Sequence, residues 1–195
     1  TNFDKTIPEE YRNQAKLAIK DEYNFDFLEI ADQHKEKELE QAIMKNIRKF
    51  LMEMGGDYTF IANQYRVDLG GREYYIDLLL FHRRLRSLVA IDLKGGEFEP
   101  DHAGKMQFYL SVLDEKVKMT DENSSIGIIV CRKKSRTIVE YTLKNVSSPI
   151  GVASYKTTEE LPEDMKDYLP GPMEILKKLS VFIEKTNDQE EEKKE

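Results

Sequence analysis

The chain has one cysteine, three histidines and no apolar run long enough to cross a membrane. The lone cysteine, Cys131, excludes an internal disulfide framework. It follows the apolar run Ile126–Val130 and reads as a buried thiol, which fits a reducing cytoplasm. His34, His82 and His102 are too dispersed for a zinc site. No internal repeat is present. Positive charge is not in excess: 30 Lys and Arg stand against 37 Asp and Glu, a net charge of −7. That argues mildly against a broadly basic nucleic-acid surface. Part of the imbalance lies in the last eight residues, 188–195, whose DQEEEKKE reads as a solvated charged tail. Thr1 stands where an initiator methionine would, and no signal-peptide pattern follows it. The expectation is a fragment of a longer protein.

What is present suits one domain with a real core: 195 residues, 39% hydrophobic and 34% charged. The stretch 70–104 organises it. Two β-prone runs, Tyr74–Phe81 and Leu88–Lys94, flank a basic turn. Each carries an aspartate among apolar residues, Asp77 and Asp92. Residues i and i+2 of a strand share a face, so Asp92 and Lys94 point the same way. Ionised groups are rare in apolar strands unless paired or bound to metal. A solvent-facing edge with an Asp92–Lys94 pair explains the local pattern about as well. Gly95-Gly96 then reads as a tight turn of little bulk, leaving the strand end open to a ligand.

Apolar spacing predicts one helix over Lys35–Met54, stopped by Gly55-Gly56. A strand follows within 57–68, and short turns make it the first of three antiparallel strands. Pro100 suits a first helical turn, with helix over His102–Leu113. Ser125–Cys131 reads as a buried strand, Thr137–Leu143 as helix and Ile150–Tyr155 as strand. Met173–Glu184 reads as a last helix, within a C-terminal helical segment 171–187. The predicted order is α-β-β-β-α-β-α-β. Basic residues cluster at Arg83, Arg84 and Arg86, and again at 132–136. Either cluster reads as an ordinary solvated turn or as a phosphate contact.

Asp77 followed by Asp92-Leu93-Lys94 resembles the signature of PD-(D/E)XK nucleases. The longer run YYIDLLLFHRRLRSLVAIDLKGGEFEPDHAGKMQFYLSVLD is similar to the YhcG-like branch of that superfamily, and the likeness extends over about 23–169. The resemblance implies an α/β fold (α+β by some schemes) with a restriction-endonuclease-like core, a central mixed sheet flanked by helices, over residues 35–170. It implies a Mg²⁺- or Mn²⁺-dependent endonuclease cleaving DNA, the C-terminal part of a bacterial, cytoplasmic protein. Residues 1–34 would then be a linker and docking segment from a missing amino-terminal domain. Asp77, Asp92, the Leu93 carbonyl and Glu40 would hold the metal, with Glu38 as the fallback for Glu40. From pattern alone, Glu40 reads first as a surface glutamate on an amphipathic helix. Lys94 would orient the attacking water. Arg83, Arg84, Arg86, Lys105 and Gln107 would meet the phosphates; from pattern alone, Lys105 and Gln107 read equally as plain surface residues. Family members usually carry glutamate at the Asp92 position, and asparagine at that of Gln107. The alternative is a catalytically idle scaffold binding nucleic acid or a partner protein. Assembly as a homo-oligomer stays open.

Overall fold

The computed structural model describes residues 1–28, 30 and 34–157. The chain divides into two units, Thr1–Thr158 and Glu159–Glu195. The helix expected over 173–184 and the tail at 188–195 lie outside the described residues.

Aromatic and branched residues suit a pleated surface, and they build an antiparallel meander of β2 (Tyr58–Leu69), β3 (Arg72–His82) and β4 (Ser87–Glu97). Gly70 and Gly71 join β2 to β3 with φ of 60° and 77°, the left-handed pair that a two-residue hairpin turn requires. Helix α5 (Pro100–Lys116) carries the chain back, so that β5 (Asn123–Lys133) runs parallel to β4. Helix α6 (Arg136–Leu143) repeats the crossover and sets β6 (Ile150–Lys156) parallel to β5. Strands β4 and β5 are covered on both faces, which is why they read as nearly unbroken apolar runs.

The single helix expected over 35–54 is two, α3 (Glu36–Lys45) and α4 (Ile47–Met54). The break falls at Asn46, where φ is −116° and ψ is 28°. Its side-chain amide donates to the Ala42 carbonyl at 3.1 Å, competing with the regular helical pattern. Helices α3 and α4 pack on one face of the sheet with Leu78, Leu80, Ile91 and Leu93. Helices α5 and α6 pack on the other with Leu79, Ala90, Ile129 and Val152. The expected α-β-β-β-α-β-α-β order is met in a mixed sheet flanked by helices, with α3 and α4 sharing the place of the first helix.

The amino-terminal stretch differs from the expected linker. It forms α1 (Phe3–Thr6), α2 (Glu9–Ala18) and β1 (Glu22–Asn24), and β1 adds to the sheet parallel to β6. The strand order is β1-β6-β5-β4-β3-β2. Phe3, Ala15, Tyr23 and Phe25 are fully buried. The Phe25 ring packs near Tyr23, Phe50 and Tyr155, with centroids 5.5–6.0 Å apart. Scattered aromatics in polar sequence looked like docking points, but they are core residues of this domain.

Phe25→Ala removes the centre of that aromatic group and should destabilise the domain by about 3–5 kcal/mol. Urea unfolding of the isolated domain measures it. A loss below about 1 kcal/mol would return the segment to the status of a linker.

Candidate active site

Strands β3 and β4 part where the two aspartates stand. Their pairing ends at Leu78–Ile91, whereas β2 and β3 stay paired as far as Leu69–Arg72. Continuing the register by one step sets Asp77 opposite Asp92. In place of a further rung, the Leu93 N–H donates to Asp77 Oδ2 at 2.8 Å. A strand residue's N–H and C=O face the same neighbour, so the Leu93 carbonyl also faces the opening between the strands.

Gln64 marks the same level on β2. Its φ is 46°, and the pairing skips it between Asn63–Leu78 and Tyr65–Ile76. The facing pattern of β3 slips here too: Leu78 belongs to the α3–α4 core, and Ile76 to the α5–α6 core. A left-handed non-glycine residue inside a strand is a strained position, of the kind found at functional sites. The Gln64 amide Nε2 donates to Glu40 Oε2 at 2.9 Å and reaches Asp77 Oδ1 at 3.3 Å. Both neighbours are carboxylates, so the amide nitrogen is the end that faces them. An open cleft of about 590 Å³ lies alongside, lined by Glu36, Glu40, Asn63, Gln64 and Asp77 among others.

Asp92 is 1% exposed and stands between two ammonium groups. Lys105 Nζ donates to Oδ1 at 2.8 Å. Lys94 Nζ lies 2.9 Å from Oδ2. That second approach has ion-pair distance without hydrogen-bond alignment, so Oδ2 is buried with no hydrogen-bond donor. Lys94 also reaches Glu36 Oε2 at 3.5 Å. Burial pushes the Asp77 carboxyl up to about 6; the Leu93 N–H opposes the rise, and the charge of Asp92 adds to it. Burial pulls Lys105 down, but the hydrogen bond and charge of Asp92 outweigh it, and the ammonium is held above its ordinary range.

Of the residues singled out in the sequence, Asp77, Asp92, Leu93, Lys94 and Lys105 meet at the fork. Glu40 comes only as far as Gln64. Among the described residues, the one set of acids and histidines with three ligand atoms within 4.8 Å of one another is Glu99, Asp101 and His102, at the start of α5. Acids there are ordinary complements to a helix dipole. Glu38 is spent as a cap, accepting the Lys35 N–H at 3.1 Å. Gln107 is half-buried on α5. Arg83, Arg84 and Arg86 are elsewhere. From Asp77 to Arg83 the strand runs roughly 20 Å towards the opposite end of the sheet. Arg84 pairs with Asp57 and Arg86 with Asp121. The hairpin closes at His82–Ser87, which puts this turn at the far end of the strands from both aspartates and from Gly95-Gly96.

Gly95-Gly96 is not a turn either, since β4 continues to Glu97. A Cβ on Gly95 would lie 2.9 Å from the His34 carbonyl oxygen and 3.3 Å from the Glu36 nitrogen. The missing side chain lets the start of α3 cross the strand and bring Glu36 to Lys94. Sequence reasoning missed Glu36 and Gln64. The imperfect alternation of Phe60–Val67 was the one visible sign of the latter.

A mixed sheet flanked by helices sets Asp77 beside Asp92-Leu93-Lys94 on adjacent strands, as the PD-(D/E)XK resemblance of the sequence led one to expect. Residues 16–170 match the family described as the YhcG PDDEXK nuclease domain. Over 159 residues the chain is 33% identical to the Escherichia coli (strain K12) protein named "Putative nuclease YhcG", covering 82% of this chain and 42% of that protein. The chain belongs to the YhcG PDDEXK nuclease domain family. It spans less than half the length of that curated relative. Two solved structures are also similar. One is a repair endonuclease from Pyrococcus abyssi, with a TM-score of 0.43 and 18% identity over 67% of this chain and 50% of that one. The other is an EndoMS-dsDNA2 complex, with a TM-score of 0.45 and 15% identity over 65% and 47%. Both likenesses are too loose to bear on the site.

The raised Asp77 carboxyl carries a pH dependence. Its contribution to stability is fully present below the ordinary 3.8 and is lost as pH rises through about 6. Asp77→Asn has no such loss. Without divalent cation, the variant should be more stable than the parent at pH 7.5, by on the order of 2 kcal/mol, and equal to it near pH 4. Denaturant melts at the two pH values test this, and equal differences at both would refute it.

Proposed function

We propose that this domain is a Mg²⁺- or Mn²⁺-dependent endonuclease that hydrolyses phosphodiester bonds in DNA, as the C-terminal part of a longer bacterial protein. The carrying observation is the pair of carboxylates at the fork: Asp77, and a buried Asp92 whose Oδ2 has the Lys94 ammonium at 2.9 Å but no aligned hydrogen bond. Buried polar atoms are rarely left so without a functional reason. The donor set is oxygen only, which suits a hard divalent cation. Asp77, Asp92 and the Leu93 carbonyl would hold it, and Glu40 would support it from beyond Gln64. Such a cation, when bound, neutralises phosphate charge and acidifies water.

The remaining work falls to the chain. Lys94 is fixed between Asp92 and Glu36, so its ammonium serves as a donor that orients the attacking water and stabilises developing charge. Glu36 positions Lys94. Gln64 holds Glu40 at a set spacing from Asp77. Lys105 and Gln107, on the helix beside the fork, supply phosphate contacts. The arginine turn is too distant to serve the same scissile bond. In this reading the partners are DNA and an amino-terminal domain of the same protein, and the setting is cytoplasmic. No helix among the described residues is long and apolar enough to cross a membrane.

One observation favours a second reading, an idle scaffold that binds nucleic acid or a partner protein. Both Asp92 oxygens already face ammonium groups.

Plasmid nicking by the full-length protein in Mn²⁺ separates the two readings. The parent should nick, and Asp77→Ala should not. Lys94→Ala should lose most cleavage yet keep Mn²⁺ binding in calorimetry, because lysine is not a ligand. Asp92→Ala should lose both, and Asp92→Glu should retain activity. Parental cleavage and metal binding in every variant would sink the nuclease reading in favour of the scaffold. Replacing Arg83, Arg84 and Arg86 together should leave the salt dependence of DNA binding to this site unchanged. A flatter slope would bring that turn back into the DNA path.

A further inference from the structure

The two ammonium groups on Asp92 are held very differently. The Lys94 side chain is 8% exposed and is gripped by Glu36 as well. The Lys105 side chain is 44% exposed. It rises from the second turn of α5, and its Nζ lies 5.4 Å from the centre of the Tyr109 ring. Nothing lies within 4 Å of where a side chain on neighbouring Gly104 would begin, so the surface beside it is open. One cation is built in, and the other has somewhere to go.

Asp92, at 1% exposure, cannot stand ionised without compensation. Lys94 alone leaves the Oδ1 side uncompensated. Lys105 completes the charge balance from a flexible stem. A divalent cation bound at the same carboxylate would supply that balance itself, and it would repel an ammonium hydrogen-bonded to Oδ1.

Resting on the reading that Asp77 and Asp92 hold a divalent cation, we infer that Lys105 is the stand-in cation of the site. It compensates Asp92 before a metal binds, leaves the carboxylate when the metal arrives, and turns its ammonium to a phosphate oxygen of the DNA backbone. Metal binding and backbone binding are thereby coupled through one side chain, and the coupling is reciprocal. The positive charge set free at the acid is delivered to the anion that the metal must meet. The arrangement also disfavours weak or adventitious cations, which must first displace an internal rival.

Two measurements on the domain, without DNA, test this. Calorimetric titration with Mn²⁺ should show Lys105→Met binding about tenfold tighter than the parent, with Lys105→Arg close to the parent because it keeps the rival charge. Amine labelling of the parent, read by mass spectrometry, should show Lys105 becoming more reactive on addition of Mn²⁺, relative to Lys116. Unchanged or weaker Mn²⁺ binding by Lys105→Met overturns the inference, as does unchanged Lys105 labelling in the metal-bound parent. If Lys105→Met does not fold, the labelling alone decides. A parent that binds no Mn²⁺ is a different result, because it removes the metal-site reading itself.

Discussion

A single hydrogen bond sets the geometry of this domain. The Leu93 N–H, which would pair with β3 in a continued sheet, donates to the Asp77 carboxylate instead. A side chain takes the place of a backbone rung, and the two strands separate from that point. The fork and the opposition of Asp77 to Asp92 accompany this replacement. An aspartate is well suited to it. Its carboxylate is short enough to satisfy the neighbouring strand, and its second oxygen remains for the opening.

Most of the fold was legible because its signals are local. Alternation and apolar runs mark the strands, Gly70-Gly71 marks a hairpin, and Pro100 marks a helix start. Asp77, Asp92 and Lys94 were legible because charges in apolar strands are conspicuous. The rest depended on contacts distant in sequence. Nothing near Phe3 or Phe25 shows that they pack beneath β5 and β6, so residues 1–34 passed for a linker. Asn46 interrupts a helix through its own side chain, while the apolar stripe runs on as if unbroken. The arginines of 83–86 are close to both aspartates in sequence and far from them in space, because the hairpin reverses direction between the two acids. Lys105 looked like a phosphate contact, and its pairing with Asp92 needed the crossover helix to be placed.

The site holds its charges under tension. Asp92 is buried against two ammonium groups, and Asp77 is kept from ionising easily by burial and by Asp92. Apolar residues of similar size would make a steadier sheet here. Asp92 has a short side chain that keeps its carboxylate close to the strand. Its carboxylate lies within ion-pair distance of Lys94 on its own strand and of Lys105 on α5.

Strand β1 is only three residues long, yet it covers the outer edge of β6. It pairs with Ser154, Tyr155 and Lys156, where β6 would otherwise present its free backbone groups to solvent. A bare, apolar edge of this kind is a template for strands of other molecules. A domain trimmed to begin at residue 35 would keep every residue of the fork and lose this cover. Its failure would then be self-association through β6, and a soluble preparation of the catalytic core has to retain the residues that precede α3.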